Sequence, residues 1–202
     1  YELIEHDFFF GCNIFAFNNS EDNQTYCNKF ENLFNLATIP YYWGSYEPEE
    51  GEYPKDDWLD VVINWCDLKN ITTKGHPLAW RNPAGYPAWL PDDQDEVEEL
   101  LKQRIERILD LYEGRINVWD VVNEPSHLPP IGDQSLEDYI SELFELVNEL
   151  DSDAKLTLND YGIMGHDFGY GPYYNLISSL LENGVPIDYI GLQGREPRLD
   201  WI

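Results

Sequence analysis

Apolar positions along this chain follow two rhythms that take turns. Short, dense apolar runs are followed by longer stretches in which apolar residues return every three or four positions. "FFFGCNIFAF" predicts a strand near residues 8–15, and "DNQTYCNKFENLFN" an amphipathic helix. "LATIPYY" predicts a short strand near 37–41, followed by the helix "KDDWLDVVINWCDLKN". "ITTKGHPLAW" is a strand near 71–76 that runs into a loop. In "DQDEVEELLKQRIERILDLYEG", Val97, Leu100, Leu101, Ile105, Ile108 and Leu109 fall at helical spacing, and Gly114 follows the end. "INVWDVVN" predicts a fourth strand near 116–123, and Ser135 opens the helix "SLEDYISELFELVNEL". A fifth strand near 155–159, a helix closed by Gly184 and a sixth strand near 189–193 complete the series.

Strands that alternate with helices argue for parallel strands joined by crossover helices. Runs as apolar as "VWDVV" fit a sheet covered on both faces. Two α/β architectures satisfy this, an open doubly wound sheet and a barrel. The first strand–helix turn lacks a Gly-rich phosphate fingerprint. Polar and aromatic residues instead follow nearly every strand: Tyr41 to Trp43, His76 to Arg81, Asn123 and Glu124, Asn159 to Tyr161, and Gln193 to Glu196. In a TIM-type (β/α)8 barrel these strand ends converge on one face. The 202 residues suit a single domain, 1–202. A full barrel takes eight units and typically ~250 residues. The expected fold is therefore that barrel with about six of its eight strand–helix units present.

Charge narrows the ligands. Acidic residues outnumber basic ones 39 to 12, for a net charge of −27. Nucleic acid and anionic membranes would be repelled, whereas a neutral sugar would not. No apolar run reaches membrane-spanning length. Cys12, Cys27 and Cys66 are too few and too scattered for a disulfide framework or a zinc site, and buried free thiols are expected at Cys12 and Cys66.

Among the strand-end residues, Glu124 carries the sharpest chemistry. A carboxyl closing an apolar strand is partly desolvated, and desolvation favours the protonated form that a general acid needs. Taken alone, a Glu in such a place more often serves a turn. Asn123 beside it can hydrogen-bond a sugar hydroxyl. His76 and Trp80, alone, would be an ordinary loop histidine and a core ring. Tyr42, Trp43, Trp80, Trp89 and Tyr161 add flat faces that suit pyranose rings, or packing. No cluster has metal-ligand spacing and no Gly-x-Ser-x-Gly elbow occurs, so neither metal nor cofactor is expected.

Together these stretches resemble glycoside hydrolase family 10, the endo-β-1,4-xylanases. "VWDVVNEP" resembles that family's acid/base strand, and "GHPLAW" its Gly-His-Thr-Leu-Val-Trp stretch. "YEPEEGEY" resembles its Glu-Pro-x-x-Gly-x-Phe turn, "LNDYGI" its Asn-Asp-Tyr-Asn segment, and "IGLQG" its Gly-x-Gln segment. The matches run in register over nearly the whole chain. The resemblance implies a secreted, retaining, endo-acting hydrolase of xylan or a related plant or algal β-glycan, with Glu124 as general acid/base. It implies that Asn123, His76, Trp80, Gln193 and Tyr161 bind the polysaccharide or oligosaccharide, with Trp43 and Glu196 in the surrounding loops.

The departures matter as much. The family's Glu-Asn pair and following Lys, which bind sugars on the non-reducing side, align with Thr38, Ile39 and Tyr42. Two family histidines are replaced by Arg81 and Arg195, which would contact an acidic sugar substituent or bond neighbouring carboxylates. The family's nucleophile, a Glu on a seventh strand, has no counterpart here. Residues 1–202 alone are accordingly expected to be inactive on β-1,4-xylan and prone to associate, in a natural protein that continues past Ile202. The alternative reading is a non-catalytic carbohydrate-binding protein on the same scaffold. A third, an unrelated barrel enzyme on a phosphorylated substrate, is disfavoured by the charge and by the missing phosphate loop.

Overall fold

The computed structural model describes residues 8–83, 85–127, 134–163 and 170–194. The element order is β1 (Gly11–Asn13), α1 (Asn23–Leu33), β2 (Leu36–Pro40), α2 (Trp43–Tyr46), α3 (Asp56–Leu68), β3 (Thr72–His76), α4 (Gln94–Tyr112), β4 (Val118–Asn123), α5 (Leu136–Leu150), β5 (Lys155–Tyr161), α6 (Tyr170–Glu182) and β6 (Tyr189–Gln193), with a 3-10 turn at Pro125–His127. All six strands form one sheet in sequence order, and every pairing is parallel. The sheet curls as a partial barrel, with its helices on the outer side.

Local chemistry explains the helix limits. The Asp22 carboxylate caps α1 through Thr25 N, Asp93 caps α4 through Asp95 N and Glu96 N, and Ser135 caps α5 through Asp138 N. Gly114 and Gly184 follow α4 and α6 with φ of 68° and 82°, a backbone that glycine adopts without a Cβ clash. The four-residue α2 carries no periodicity to announce it. β1 is shorter than its apolar run predicts. The Phe10 amide bonds the Asn35 side chain instead of a strand partner, and Phe8, Phe9 and Phe10 are exposed. β1 lies at the sheet edge, and this corrects the expectation of a buried Cys12: it is exposed, whereas Cys27 and Cys66 are buried.

The core lies between the sheet and the helices. Trp119 is fully buried, with its ring edge-on to Tyr41 at 5.0 Å. A Cβ on Gly75 would stand 2.0 Å from the Trp119 ring, so β3 needs glycine where β4 lays this side chain across it. Buried Arg104 on α4 donates to the carbonyls of Tyr41 and Leu78. It thereby ties the chain leaving β2 to the chain leaving β3. Its guanidinium lies 5.6 Å from the centroid of Trp43.

Candidate active site

β3 does not leave the sheet when its strand ends. Leu78 N bonds Asp120 O and Ala79 N bonds Val121 O, each at 2.9 Å, and Asn123 N bonds back to Ala79 O at 2.9 Å. This segment climbs along β4 and delivers Trp80 beside Glu124. On the other side, Glu124 N donates to Asn159 O at 2.7 Å, extending the β5 pairing one residue past the strand. Glu124 itself has φ 58°, a left-handed backbone that costs a non-glycine residue on the order of 1–3 kcal/mol. Bonds at both its amide and its carboxylate hold it there.

Glu124 is 8% exposed. Trp80 Nε1 donates to its Oε2 at 2.8 Å, and Gln193 Nε2 to its Oε1 at 2.9 Å. Asn159 Nδ2 donates to Asn123 Oδ1 at 2.7 Å, which leaves the Asn123 amide nitrogen as a donor toward the cleft. A Cβ at Gly191 would lie 2.3 Å from Asn159 Oδ1, so the glycine of "IGLQG" makes room for this amide pair. Deeper in, the Asp120 carboxylate meets His76 Nδ1 at 2.6 Å and Lys74 Nζ at 2.9 Å on the same oxygen. A buried acid in an otherwise apolar strand requires such partners. Engaging Nδ1 fixes the His76 ring and leaves Nε2 as its free nitrogen.

These groups share one cleft of about 410 Å³. Its lining includes Glu124, Asn123, His76, Trp80 and Gln193, drawn from β3, β4, β6 and the segments that follow them. Three other expected residues lie elsewhere. Trp43 is 4% exposed and donates its indole N–H to Glu47, so it belongs to the core; Tyr42, one residue earlier, lines the cleft instead. Tyr161 stacks on His127 with centroids 3.7 Å apart, outside the cleft lining. Arg81 donates to the Gln94 amide oxygen at 2.7 Å, on α4. Arg195 and Glu196 lie outside the described residues. Asp160, the other acid near this face, is fully buried; it accepts from Ser126 N and Tyr161 N, with His127 Nε2 3.2 Å away. Among the described residues no group of three His, Cys, Asp or Glu side chains could hold a metal ion.

Sequence reasoning missed Lys74, Asp120 and Phe15 as cleft residues. Asp120 left a signal, a lone charge inside an apolar strand. Phe15 left none beyond its place at the end of a strand.

The arrangement offers one carboxyl, gripped by an indole and an amide, beside an amide donor and a fixed imidazole. The family described as Glycosyl hydrolase family 10 matches residues 2–195. Endo-1,4-beta-xylanase 1 of Arabidopsis thaliana is 32% identical over 181 residues, covering 86% of this chain and 19% of the relative. Endo-1,4-beta-xylanase B of Thermotoga neapolitana is 30% identical over 186 residues, covering 85% and 52%. Among solved structures, xylanase 10B of Thermotoga petrophila RKU-1 in complex with xylobiose superimposes with a TM-score of 0.76 at 28% identity, covering 91% of this chain and 58% of the other. The chain thus spans less than two thirds of each of these proteins.

Proposed function

Because the chain belongs to glycosyl hydrolase family 10, we propose that it carries the proton-donating side of an endo-acting, retaining β-1,4-glycanase site, with xylan or a related β-glycan as substrate. The observation that carries this reading is the pair of bonds from Trp80 Nε1 and Gln193 Nε2 to Glu124 in the cleft. Each carboxylate oxygen has two lone pairs, so a protonated Glu124 keeps both bonds and still directs its O–H at a glycosidic oxygen. As the C–O bond breaks, that proton passes to the leaving sugar. The carboxylate then returns as the base that activates water. Asn123 Nδ2 donates to a hydroxyl of the sugar being cleaved, and His76 Nε2 faces the same unit. Retention requires a second carboxyl ~5–5.5 Å from the first. Asp120, the other cleft acid among the described residues, is engaged by Lys74 and His76, so the nucleophile is not assigned to it. A polysaccharide target implies action outside the cell. Among the described residues no helix is long and apolar enough to cross a membrane.

The test is Glu124→Gln in the full-length protein. Hydrolysis of xylan should fall ~10²–10⁴-fold. Cleavage of activated aryl glycosides, whose leaving groups need little protonation, should fall far less in the glycosylation step. Equal loss on both substrate types would reduce Glu124 to a binding residue and favour the carbohydrate-binding alternative.

A further inference from the structure

Among the described residues Lys74 is the one Lys or Arg that lines the cleft. It stands two positions before His76 on β3, so both side chains leave the strand on the same face. Both reach one oxygen of Asp120: Lys74 Nζ lies 2.9 Å and His76 Nδ1 2.6 Å from Oδ2. Asp120 is 1% exposed, and its Oδ1 has no hydrogen-bond partner among the described residues. The other groups around the imidazole are accounted for. Tyr42 meets it edge-on with ring centroids 5.5 Å apart. Thr38 and Asn13, both uncharged, continue the row from Lys74 across β2 and β1. Glu124, the other acid of the cleft, accepts from Trp80 and Gln193.

We propose that Lys74 is a positioning residue that sets the hydrogen-bonding role of His76. Its ammonium supplies the counter-charge to Asp120, so the imidazole serves that carboxylate as a neutral ring. The ring donates Nδ1–H to Asp120 and presents a bare Nε2, which accepts from a sugar hydroxyl. The proposal rests on the glycosidase reading above in naming a sugar as that donor. An ammonium and a carboxylate in contact cancel. A second cation on the same buried oxygen would leave a net positive charge with little water to solvate it. Without Lys74 the carboxylate stands alone, and the imidazole is drawn to hold protons on both nitrogens, the form that pairs with a buried anion. Nε2 then changes from acceptor to donor with the ring still in place. Lys74 touches no sugar in this scheme; it acts through Asp120 and His76.

The test is nitrogen NMR of the full-length protein with isotope-labelled histidine, in which the His76 signals are those lost in His76→Gln. The unaltered protein should show one ring nitrogen of the N–H type, Nδ1, and one of the bare type, Nε2. In Lys74→Met at the same pH, the Nε2 signal should move toward the protonated position, and kcat/KM on xylan should fall roughly 10- to 100-fold. Lys74→Arg, which keeps the charge, should restore the bare Nε2 and most of the activity. Lys74→Gln, uncharged but polar, repeats the measurement if the apolar variant fails to fold. A substrate readout separates this role from packing. In aryl xylobiosides, fluorine replaces the hydroxyls of the cleaved unit one at a time; fluorine accepts but cannot donate. At the hydroxyl facing His76 its penalty should be smaller in Lys74→Met than in the unaltered protein. A protonated Nε2 in the unaltered protein, a bare Nε2 that survives both uncharged variants, or an equal fluorine penalty at every position would each overturn the proposal. The NMR signature does not depend on hydrolysis. A protein that shows the expected shift but cleaves no β-glycan would keep the Lys74–His76 relation and remove the glycosidase reading alone.

Discussion

Two of the chain's three Glu-Pro dipeptides, Glu47-Pro48 and Glu124-Pro125, look interchangeable in the sequence and do opposite work. Each Glu is buried, at 6% and 8% exposure, and each takes a tryptophan indole N–H on Oε2. The remaining donors separate them. Glu47 Oε1 takes Gly51 N at 2.9 Å and the Tyr53 hydroxyl at 3.1 Å, all within one turn of chain. Glu124 Oε1 takes Gln193, 69 residues away, and the carboxyl lies in a cleft. The first carboxylate is consumed in closing a turn. The second is held by distant elements and left facing a substrate-sized space. Buried carboxylates are thus told apart by where their partners come from and by what remains open beside them.

The comparison is sharpest under the same isosteric change. Glu124→Gln is expected to cost ~10²–10⁴-fold in xylan hydrolysis, about 3–5 kcal/mol of transition-state stabilisation, with little change in thermal stability. Gln193 makes this possible, because among the described residues its Oε1 has no hydrogen-bond partner and its amide can turn to face the new NH₂ group. A fall in melting temperature as large as that of a core mutation would break the contrast.

The Glu47 region should respond in stability. Arg104→Met leaves the carbonyls of Tyr41 and Leu78 without their donor and removes the cation over Trp43. At about 1–3 kcal/mol for each buried group left unpaired, roughly 2–5 kcal/mol of unfolding free energy should be lost in urea titration. Glu47→Gln is next, at about 1–3 kcal/mol. Its new NH₂ must face either the Trp43 indole or the Gly51 amide, both fixed donors that cannot turn. Catalysis, measured well below the melting temperature, should survive this change within a fewfold. Loss of activity without loss of stability at Glu47 would erase the distinction.

Much of this was legible in advance. The helices carry full apolar periods and capping residues, and all six strands stand within a few residues of their predicted places. The pairing of Asn123 with Glu124, and the gathering of His76, Trp80 and Gln193 around them, followed from the barrel's habit of collecting strand ends on one face. What was not legible depended on rotation and edge. Whether Tyr42 or Trp43 faces the cleft is decided by the four-residue α2, too short to have a period. Cys12 read as buried because an apolar strand usually is, yet β1 is an edge. Arg81 reads as a site residue because it stands where the resembled family has a histidine, but its guanidinium turns to Gln94 on α4. The Asp120–His76 bond joins residues 44 positions apart, which no local pattern encodes.

The thiols carry the same contrast, between groups consumed by the fold and groups left in the cleft, to its smallest expected effect. A thiol reacts as its thiolate. Burial pushes Cys66 up to about 12, and Cys27 is also raised, chiefly by burial. At pH 8 the native protein should therefore lose one thiol quickly, Cys12, and the other two only on unfolding. The same shift sets a pH dependence. Below pH 9, the ordinary value for Cys66, folded and unfolded chains both hold the proton and its contribution to stability is complete. Between 9 and about 12 the unfolded chain releases that proton while the folded chain keeps it, so unfolding becomes easier as pH rises. Cys66→Ala, which leaves a cavity but nothing to titrate, should flatten part of that alkaline decline while lowering stability at neutral pH. Fast native labelling of Cys66, or a decline of unchanged slope in the variant, would place Cys66 nearer the surface than its packing in α3 requires.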